Sequence, residues 1–505
     1  MTFTEALRLN ARRFPAKPAL CFGESSWSYA ELYRRVCGMM NALRQAGYGR
    51  DDKVAILALN HPDFITAYFA LMGFGAVPVP VNYRLSDDDM LHILTHSHSR
   101  ALLVDRHHLA HGERFAGRVE QVYCLDALQA GEGGRVLSLP ERLAAASDAE
   151  ADLRESRALI MLHTSGTTSR PKGTLREKWG FEERAIEQGF ATEDRTLCVM
   201  PLCLSAGFGY AMLPLYLGAT VYLMESFDAE RTLALIDKEK ITAAMMFPPL
   251  LRRMMESPAF QDFSGRSLRL IQSGGGAVEA DLRQAWFAKA GPVLSIYAAS
   301  TEVGPYANLK GDAVLRYAEG NCIGTVFFGV EVRLLDDDGK EVAVGEVGEI
   351  CARSSFQYEG YYNDPELTDS TRRGEFFTVG DLGRFDADGY LYFVGRKRDV
   401  IKSGGINVYA PEVEEVLASH PAVAEAACIG LPDPEWTELI CAVVVLKPGR
   451  QANAGELMGF AEAGLARYKR PRRVMFAAEL PRNLSGRVMK EKLKKMVLDM
   501  KEHGS

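Results

Sequence analysis

Short β-rich segments alternate with helical segments through the first 300 residues of the chain. Lys53–Leu59 reads KVAILAL, and the next stretch, His61–Gly75, carries apolar residues at helical spacing. Ala101–Asp105, Thr220–Met224 and Ser267–Gly275 are β-rich in the same way. Because parallel strands are joined by crossovers that are usually helices, the alternation predicts an α/β fold built on parallel sheets.

From about Gly311 the pattern changes to short strands separated by acidic turns that contain Asp-Gly, which is a hairpin signal. We therefore expect a small β-barrel-like subdomain over about residues 311–396. The charged cluster RKRD ends at Asp399, and a compact α+β pattern follows it. The predicted organisation is a large N-terminal domain over residues 1–396 and a small α+β C-terminal domain over residues 397–505.

Charge and composition exclude several functional classes. The 59 basic and 66 acidic residues give a net charge of −7, which argues against a general nucleic-acid-binding protein. No apolar run is long enough to span a membrane, and Arg8, Arg12 and Arg13 interrupt the apolar pattern that a signal peptide would need. The nine cysteines are scattered without a CxxC pair, so we expect reduced core cysteines and a cytoplasmic protein.

Six histidines lie close together in the sequence without any cysteine or firm metal-ligand motif beside them. We interpret them as surface residues rather than a metal site. They are His92, His96, His98, His107, His108 and His111.

A loop rich in Ser, Thr and Gly, HTSGTTSRPKGT (His163–Thr174), follows an apolar segment. Its hydroxyls, its backbone N–H groups and the ammonium of Lys172 suit a polyphosphate. It is not a Walker loop, because Pro171 lacks the N–H that such a loop uses and Gly173 lacks the hydroxyl that would hold Mg²⁺. Taken alone, the stretch fits a phosphate loop and an ordinary surface turn equally well.

Together with four further segments in the same order, this loop resembles the motifs of adenylate-forming enzymes, which include acyl-CoA synthetases, peptide-synthetase adenylation domains and firefly-type luciferases. TSGTTSRPKG (Thr164–Gly173) is similar to TSGTTGxPKG, and YAASTE (Tyr297–Glu302) is similar to YGxTE. The other matching segments are Gly348–Thr368, Thr378–Gly405 and Leu480–Leu493. The resemblance covers almost the whole chain, and it implies a mobile C-terminal domain with a hinge near Arg398.

The resemblance also implies a reaction in two halves. A carboxylate attacks the α-phosphate of ATP to give an acyl-adenylate and pyrophosphate, and the thiol of CoA then displaces AMP. The substrates and cofactors implied are a small carboxylic acid, ATP, Mg²⁺ and CoA. A homodimer, and in an alternative interpretation a carrier protein in place of CoA, are the protein partners that the resemblance allows.

Particular residues match the family's functional positions. The implied catalytic residues are Lys172, Glu302 as the Mg²⁺ ligand, Lys402 for the thioester half and Arg487 at the position of the family's adenylation lysine. The implied ATP- and AMP-binding residues are Thr164, Ser165, Gly166, Thr167, Thr168, Lys172, Gly274, Gly275, Tyr297, Ser300, Thr301, Asp381 and Arg396.

The predicted acyl pocket has no acidic residue that could hold an α-amino group, since Pro201–Leu213 contains neither Asp nor Glu. We therefore expect an apolar aliphatic or aromatic monocarboxylic acid as the substrate. The small residues Gly207 and Gly209 suggest room for a sizeable acyl chain. The pocket residues are Leu204, Gly207, Phe208, Phe247 and Ser273.

The chain departs from the family pattern at four positions. The most important departure is Arg487, where the family has a lysine. A planar guanidinium does not replace an ammonium group at a tight site without consequence. Lys490, one helical turn further on, is an alternative cation, and a weakened nucleotide-binding relative is an alternative function. The departures are Ser169 for a loop glycine, Leu204 for a histidine, Ala298 beside Tyr297 for the stacking aromatic residue, and Arg487 for lysine.

Overall fold

The computed structural model describes residues 1–150, 152–153, 159–164, 170–318, 320–482 and 486–502. Five residues of the predicted phosphate loop lie outside these ranges: Ser165, Gly166, Thr167, Thr168 and Ser169.

The strands of the described residues, in chain order, are β1 (Pro18–Phe22), β2 (Ser25–Ser28), β3 (Lys53–Leu57), β4 (Val77–Pro80), β5 (Ala101–Val104), β6 (Gln121–Cys124), β7 (Val136–Ser138), β8 (Ile160–Thr164), β9 (Lys172–Arg176), β10 (Arg195–Cys198), β11 (Thr220–Leu223), β12 (Ala243–Met245), β13 (Leu270–Ser273) and β14 (Leu294–Ser300). They continue with β15 (Gly304–Lys310), β16 (Cys322–Val326), β17 (Val330–Leu335), β18 (Gly348–Ser354), β19 (Gly360–Tyr361), β20 (Arg372–Arg373), β21 (Phe376–Phe385), β22 (Leu391–Arg396), β23 (Ile401–Ser403), β24 (Ile406–Val408), β25 (Val423–Asp433), β26 (Thr437–Leu446) and β27 (Arg473–Phe476).

The α-helices of the same residues are α1 (Phe3–Arg13), α2 (Tyr29–Gln45), α3 (Pro62–Gly73), α4 (Asp87–His96), α5 (Leu109–Phe115), α6 (Leu139–Ala145), α7 (Phe181–Gln188), α8 (Ser205–Leu217), α9 (Ala229–Glu239), α10 (Pro248–Glu256), α11 (Ala280–Ala290), α12 (Ala313–Arg316), α13 (Pro365–Thr371), α14 (Ala410–Ala418), α15 (Ala454–Gly464) and α16 (Lys490–Glu502).

Two parallel sheets form most of the N-terminal part, which confirms the α/β class. One has the order β4-β3-β5-β6-β7 and is parallel throughout. The other contains the parallel run β14-β13-β12-β10-β11-β1, with β2 antiparallel at its edge. The main core includes Ile56 of the first sheet, Leu197 of the second and Phe64 of α3. Every residue of α3 is buried, as expected of a helix packed on several sides.

The β-rich region continues the second sheet. β14 pairs antiparallel with β15, and the sheet then runs through β16, β22, β21 and β18 to β17. This region has a core of its own, to which Tyr306, Ile350 and Phe377 belong. The antiparallel strands thus begin at Gly304, a few residues earlier than the sequence pattern predicts.

A separate sheet, β24-β23-β26-β25 with β27 beside β26, forms the smaller C-terminal part. One face packs apolar residues of α14 and α15, such as Val413 and Leu457, and the other packs Leu493 and Val497 of α16. The compact α+β pattern expected after Asp399 is present as α14, β25 and β26. Across the described ranges, no helix is long and apolar enough to cross a membrane.

Candidate active site

β8 and β9 hold the two ends of the predicted phosphate loop. The strands pair antiparallel, with Thr164 opposite Lys172. β19 adds a third strand, with Tyr361 opposite Thr174. The ammonium of Lys172 lies 6.0 Å from the centroid of the Tyr361 ring. The three paired strands therefore fix both ends of the loop, and they hold the Lys172 cation at the C-terminal end of the loop.

Glu302 lies in the turn between β14 and β15 and shares a neighbour with Lys172. The Tyr361 hydroxyl donates a hydrogen bond of 2.6 Å to Oε1 of Glu302. The described residues offer the other carboxylate oxygen no hydrogen bond, and they contain no cluster of three His, Cys, Asp or Glu that could hold a metal alone. One open carboxylate oxygen beside phosphate oxygens and water suits Mg²⁺, which is usually bound by few protein ligands. Tyr361 was not among the predicted site residues.

A buried arginine that the sequence analysis also missed fixes the turn carrying Glu302. The guanidinium of Arg176 donates to the carbonyl oxygen of Phe356 at 2.6 Å and to that of Thr301. Burial lowers the pKa of Arg176 to about 9. An arginine at the end of the short strand that follows the phosphate loop was the available signal.

Asp381 and Arg396 face each other across β21 and β22. They are register partners, and Nε of Arg396 lies 3.4 Å from Oδ1 of Asp381 without forming a hydrogen bond to it. Tyr306 donates to Oδ2 at 3.1 Å. Burial raises the pKa of Asp381, and the charges of Arg396 and Arg487 oppose that shift. A buried carboxylate oxygen without a hydrogen-bond partner is an acceptor held open for a ligand donor, such as a ribose hydroxyl.

Arg487 reaches the same place from the C-terminal part. It is largely surrounded by protein yet partly accessible to solvent, as a side chain that lines a cleft should be. Burial and the charge of Arg396 lower the pKa of Arg487 to about 10, and Asp381 opposes them. The preceding Gly486 has φ +79°, and a Cβ there would stand 2.8 Å from Cγ of Pro249. The glycine therefore allows the close approach that brings the arginine to Asp381.

Two other C-terminal cations, Lys490 and Lys402, lie elsewhere. Lys490 forms an ion pair of 2.7 Å with Glu414 inside the C-terminal part. Lys490 is therefore already neutralised, which disfavours it as the alternative adenylation cation. Lys402 is exposed on β23, and its backbone N–H donates to Glu438 at 2.8 Å. In this arrangement Arg487, and not Lys402, lies beside Asp381.

The 3-10 turn Lys397–Asp399 connects β22 of the large sheet to β23 of the C-terminal sheet. Lys397 is tied to the N-terminal side, since its Nζ lies 3.1 Å from the buried carboxylate of Glu349. Arg398, the predicted hinge residue, is half-exposed and lies 3.6 Å from the carboxylate of Asp399. Lys397, which is bound to the N-terminal part, thus directly precedes the predicted hinge residue Arg398.

Three predicted acyl-pocket residues lie at one edge of the parallel sheet. Ser273 ends β13, Phe247 caps α10 after β12, and Leu204 caps α8 after β10. These are adjacent strands, and β14, which leads to Ser300 and Glu302, lies next to β13. Crevices beyond the carboxyl ends of parallel strands are the usual ligand sites of α/β sheets.

The two glycines of α8 that suggested room for a long acyl chain are covered by protein. A Cβ on Gly207 would stand 2.1 Å from the carbonyl oxygen of Pro201, and one on Gly209 would stand 3.0 Å from Nε1 of Trp179. The Trp179 ring also contacts the fully buried Phe208, with centroids 4.6 Å apart. These small residues therefore serve close packing, and the space that they suggested is filled.

Tyr297 packs over the glycine-rich turn after β13. A Cβ on Gly274 would stand 2.6 Å from the carbonyl oxygen of Tyr297, and 3.1 Å from its ring. Its hydroxyl lies 3.8 Å from the sulfur of Met245. β14 contains a bulge, as a displaced aromatic residue would require. The bulge lies between Ala298 and Ala299 and not at Tyr297. Gly275, the next residue of this turn, is exposed and has φ +80°. The stacking of Tyr297 on adenine stays a prediction.

The surface interpretation of the histidines is wrong for His108, which is 8% exposed and lies 2.5 Å from the Asp105 carboxylate. His92 is also only partly exposed, and its Nε2 lies 3.1 Å from the carbonyl oxygen of Pro171 at the end of the phosphate loop. These side chains pack between α4, α5 and the neighbouring strands, which the sequence pattern did not indicate.

Stability should fall in mild acid because of His163 in β8. Burial and the neighbouring His96 lower the pKa of His163 to about 3, and neither ring nitrogen has a hydrogen-bond partner in the described residues. Since the unfolded chain takes up this proton near pH 6.5, stability is intact above that pH and decreases below it, by about 2 kcal/mol at pH 5. Urea unfolding at pH 7 and pH 5 measures this difference. His163→Gln should reduce the difference, whereas His107→Gln, at an exposed position, should leave it unchanged.

Comparison with known proteins gives matches over both parts of the chain. Residues 7–362 match the AMP-binding enzyme family, and residues 412–487 match the AMP-binding enzyme C-terminal domain. The chain is 32% identical over 504 residues to the indoleacetate–CoA ligase of Aromatoleum aromaticum, covering 98% of both chains. It is 34% identical over 493 residues to a feruloyl-CoA synthase of Amycolatopsis sp, covering 96% of this chain and 97% of that one.

The fold is similar to that of the amide bond synthetase McbA from Marinactinospora thermotolerans, with a TM-score of 0.87 and 26% identity over 98% of this chain and 100% of that one. The family matches cover both the large and the small part of the chain. This chain therefore belongs to the adenylate-forming family of AMP-binding enzymes.

Proposed function

We propose that this protein is an ATP-dependent carboxylic acid–CoA ligase that works through an acyl-adenylate. The observation that carries the proposal is that Arg487 and Arg396 lie close enough to one point, the Asp381 carboxylate, for their charges to act on it, while its Oδ1 accepts no hydrogen bond among the described residues. That point is built from the large and the small part of the chain together. A ribose and an α-phosphate need such a combination of acceptor and cations.

In the first half-reaction, Asp381 would accept hydrogen bonds from the ribose, and Lys172 with the loop hydroxyls would hold the β- and γ-phosphates. The carboxylate oxygen of the acid attacks the α-phosphorus, the bond from that phosphorus to the bridging oxygen breaks, and pyrophosphate leaves. Arg487 would offset the negative charge that develops on the α-phosphate. Preorganised charge of this kind is the main contribution that a protein makes to phosphoryl and nucleotidyl transfer.

Glu302 would hold Mg²⁺ through its open oxygen, with the remaining positions taken by phosphate oxygens and water. When bound, the ion neutralises the polyphosphate. The Tyr361 hydroxyl orients the Glu302 carboxylate, and the main-chain contacts of Arg176 hold the turn that carries it.

The second half-reaction would use the other face of the C-terminal part. The residues that follow Arg398 would rotate about it while Lys397 stays bound to Glu349. This motion withdraws Arg487 and brings Lys402 to the acyl-adenylate, so that one site serves two steps. The sulfur of CoA then attacks the acyl carbonyl carbon, the bond to the phosphate oxygen breaks, and AMP leaves.

Lys402→Ala should slow thioester formation at least about tenfold and leave acid-dependent pyrophosphate exchange within about twofold of the original. Lys402 is exposed in the structure, so its loss should not disturb the adenylation site. Both rates are measured on one preparation, with Lys447→Ala as the control for an exposed lysine of the same domain. Equal losses in both half-reactions would contradict an assignment to the second half.

An aromatic acid is the substrate class that the site supports best. Two of the CoA ligases similar to this chain are named for indoleacetate and ferulate, both aromatic acids, while another is named for long-chain fatty acids. Aromatic side chains, Trp179 and Tyr297, lie at the predicted pocket. A panel of aromatic and aliphatic acids with ATP, read out as pyrophosphate exchange, tests the proposal, and no exchange with any acid would refute it.

The acceptor is tested separately. Free CoA, a holo carrier protein and a simple amine are each offered with the best acid and ATP, since a structurally similar enzyme forms amides. Thioester formation with CoA at the highest kcat/KM supports the proposal. A higher kcat/KM with the carrier protein or the amine would identify that compound, and not CoA, as the acceptor.

A further inference from the structure

Arg184, in the first turns of α7, is a cation without a carboxylate partner. Its Nε donates to the carbonyl oxygen of Trp179 at 2.9 Å. Its guanidinium carbon lies 5.6 Å from the centroid of the Trp179 ring and 5.8 Å from that of Phe356. Within the described residues, no Asp or Glu lies within ion-pairing distance of it. The neighbouring Arg176 differs, because two of its guanidinium nitrogens are bonded to carbonyl oxygens.

Arg184 is not sealed inside the core. The side chain is surrounded by protein, and burial lowers its pKa to about 10, yet part of it remains accessible to solvent. The guanidinium is therefore still protonated at neutral pH. The charge of the adjacent Glu183 opposes the shift, but its carboxylate forms no ion pair with Arg184 among the described residues. A largely buried charge without an ion-pair partner is unfavourable for stability, so a ligand that supplies an acceptor would stabilise it.

Contacts connect Arg184 to the predicted acyl pocket. Trp179 packs on Phe208, and its indole nitrogen covers Gly209 of α8. Tyr297 of β14 lies within electrostatic range of Arg184, and it packs on Gly274, directly after Ser273. Arg184 of α7 is thus connected through Trp179 to Phe208, and through Tyr297 to the turn after Ser273.

Further polar atoms on these elements lack partners. The indole N–H of Trp179, the hydroxyl of Tyr210 and the hydroxyl of Ser273 are buried without any hydrogen bond among the described residues. Most buried polar groups in proteins are hydrogen-bonded, so these unpaired groups favour a ligand with polar atoms. The aromatic rings of Trp179 and Tyr297 would contact an aromatic ring of that ligand.

We propose that Arg184 determines the acid specificity of this enzyme, and that the substrate is an aromatic carboxylic acid with an oxygen substituent at the end of the ring remote from the reacting carboxylate. The proposal rests on the proposed ligase function. The guanidinium N–H groups would donate to the phenolic, ether or carboxylate oxygen of the substituent. The substrate is then not a purely apolar acid, which refines the expectation from the sequence.

The test uses the full-length enzyme and matched acids, cinnamate with 4-hydroxycinnamate and 3-phenylpropanoate with 3-(4-hydroxyphenyl)propanoate, in pyrophosphate exchange. We expect the hydroxylated member of each pair to have the higher kcat/KM, by about tenfold or more. Arg184→Met should abolish this preference, mainly through loss on the hydroxylated acid, and Arg184→Lys should keep part of it. Arg283→Met is the matched control, because Arg283 is a buried arginine that binds main-chain carbonyl oxygens away from the site.

The outcomes separate the two proposals. Exchange with no acid at all would refute the ligase function, and this inference with it. Exchange without a preference for the hydroxylated acids, or a preference that Arg184→Met leaves intact, would refute the role of Arg184 alone. If Arg184→Met does not fold, the comparison of Arg184→Lys with the original enzyme decides, since the ratio for each acid pair does not depend on the amount of folded protein.

Discussion

Arg487→Ala should lower acid-dependent pyrophosphate exchange by about 100- to 1,000-fold, the loss typical when one preorganised charge-stabilising group is removed from an active site. Arg487 is the C-terminal cation that lies beside Arg396 and Asp381, and Lys490 is neutralised by Glu414. Arg398, at the predicted hinge, is a further C-terminal cation whose charge reaches Arg487. The measurement is isotope exchange between pyrophosphate and ATP in the presence of the best acid.

Two controls sharpen this prediction. Arg487→Lys keeps the charge and restores the residue type usual in the family, so the exchange rate should be at least as high as with arginine. Thioester formation from a chemically prepared acyl-adenylate should change little in Arg487→Ala, since the arginine acts before that step. A loss in both half-reactions would mean that Arg487 holds the domains together rather than stabilising the α-phosphate.

Asp381→Ala should lower kcat/KM for ATP by about 100-fold, which corresponds to about 3 kcal/mol for the loss of charge-assisted hydrogen bonds to the ribose. Oδ1 of Asp381 is buried and unbonded, while Tyr306 orients the carboxylate through Oδ2. The decisive measurement compares ATP with 2′-deoxy-ATP and 3′-deoxy-ATP. Removal of the hydroxyl that Asp381 binds should lower kcat/KM of the original enzyme strongly and that of the variant hardly at all.

The controls for Asp381 lie in the same hairpin. Asp388→Ala removes an exposed carboxylate from the β21–β22 turn and should leave kcat/KM for all three nucleotides unchanged. Asp381→Asn keeps the shape of the side chain and tests whether its charge is needed. Equal discrimination between ATP and the deoxy nucleotides in the original enzyme and in Asp381→Ala would exclude a ribose contact.

Much of the local structure could be predicted from the sequence. Lys53–Leu57 and Ala101–Val104 are strands, and the apolar positions Val413 and Leu417 of α14 face the core. Such patterns are readable because burial repeats with the period of the element itself. The motif order likewise identified the family, since each segment carries the residue types that its chemistry needs.

The role of small residues was harder to predict. Gly207 and Gly209 suggested open space, but Pro201 and Trp179 fill it. A glycine in a sequence indicates only that a side chain is absent. Whether a ligand or another part of the protein occupies the vacated volume depends on packing between segments that are distant in the chain.

The sequence by itself determined the α/β class, the family and the candidates for binding phosphate and ribose, because these follow from local periodicity and from residue chemistry. Only the tertiary structure decided that Arg487 rather than Lys490 lies beside Asp381, and that Arg184 has no carboxylate partner among the described residues. Charges interact through space, so their partners and their burial depend on how distant elements pack. The same cation can be a surface group or a catalytic one, and its sequence neighbours do not show which.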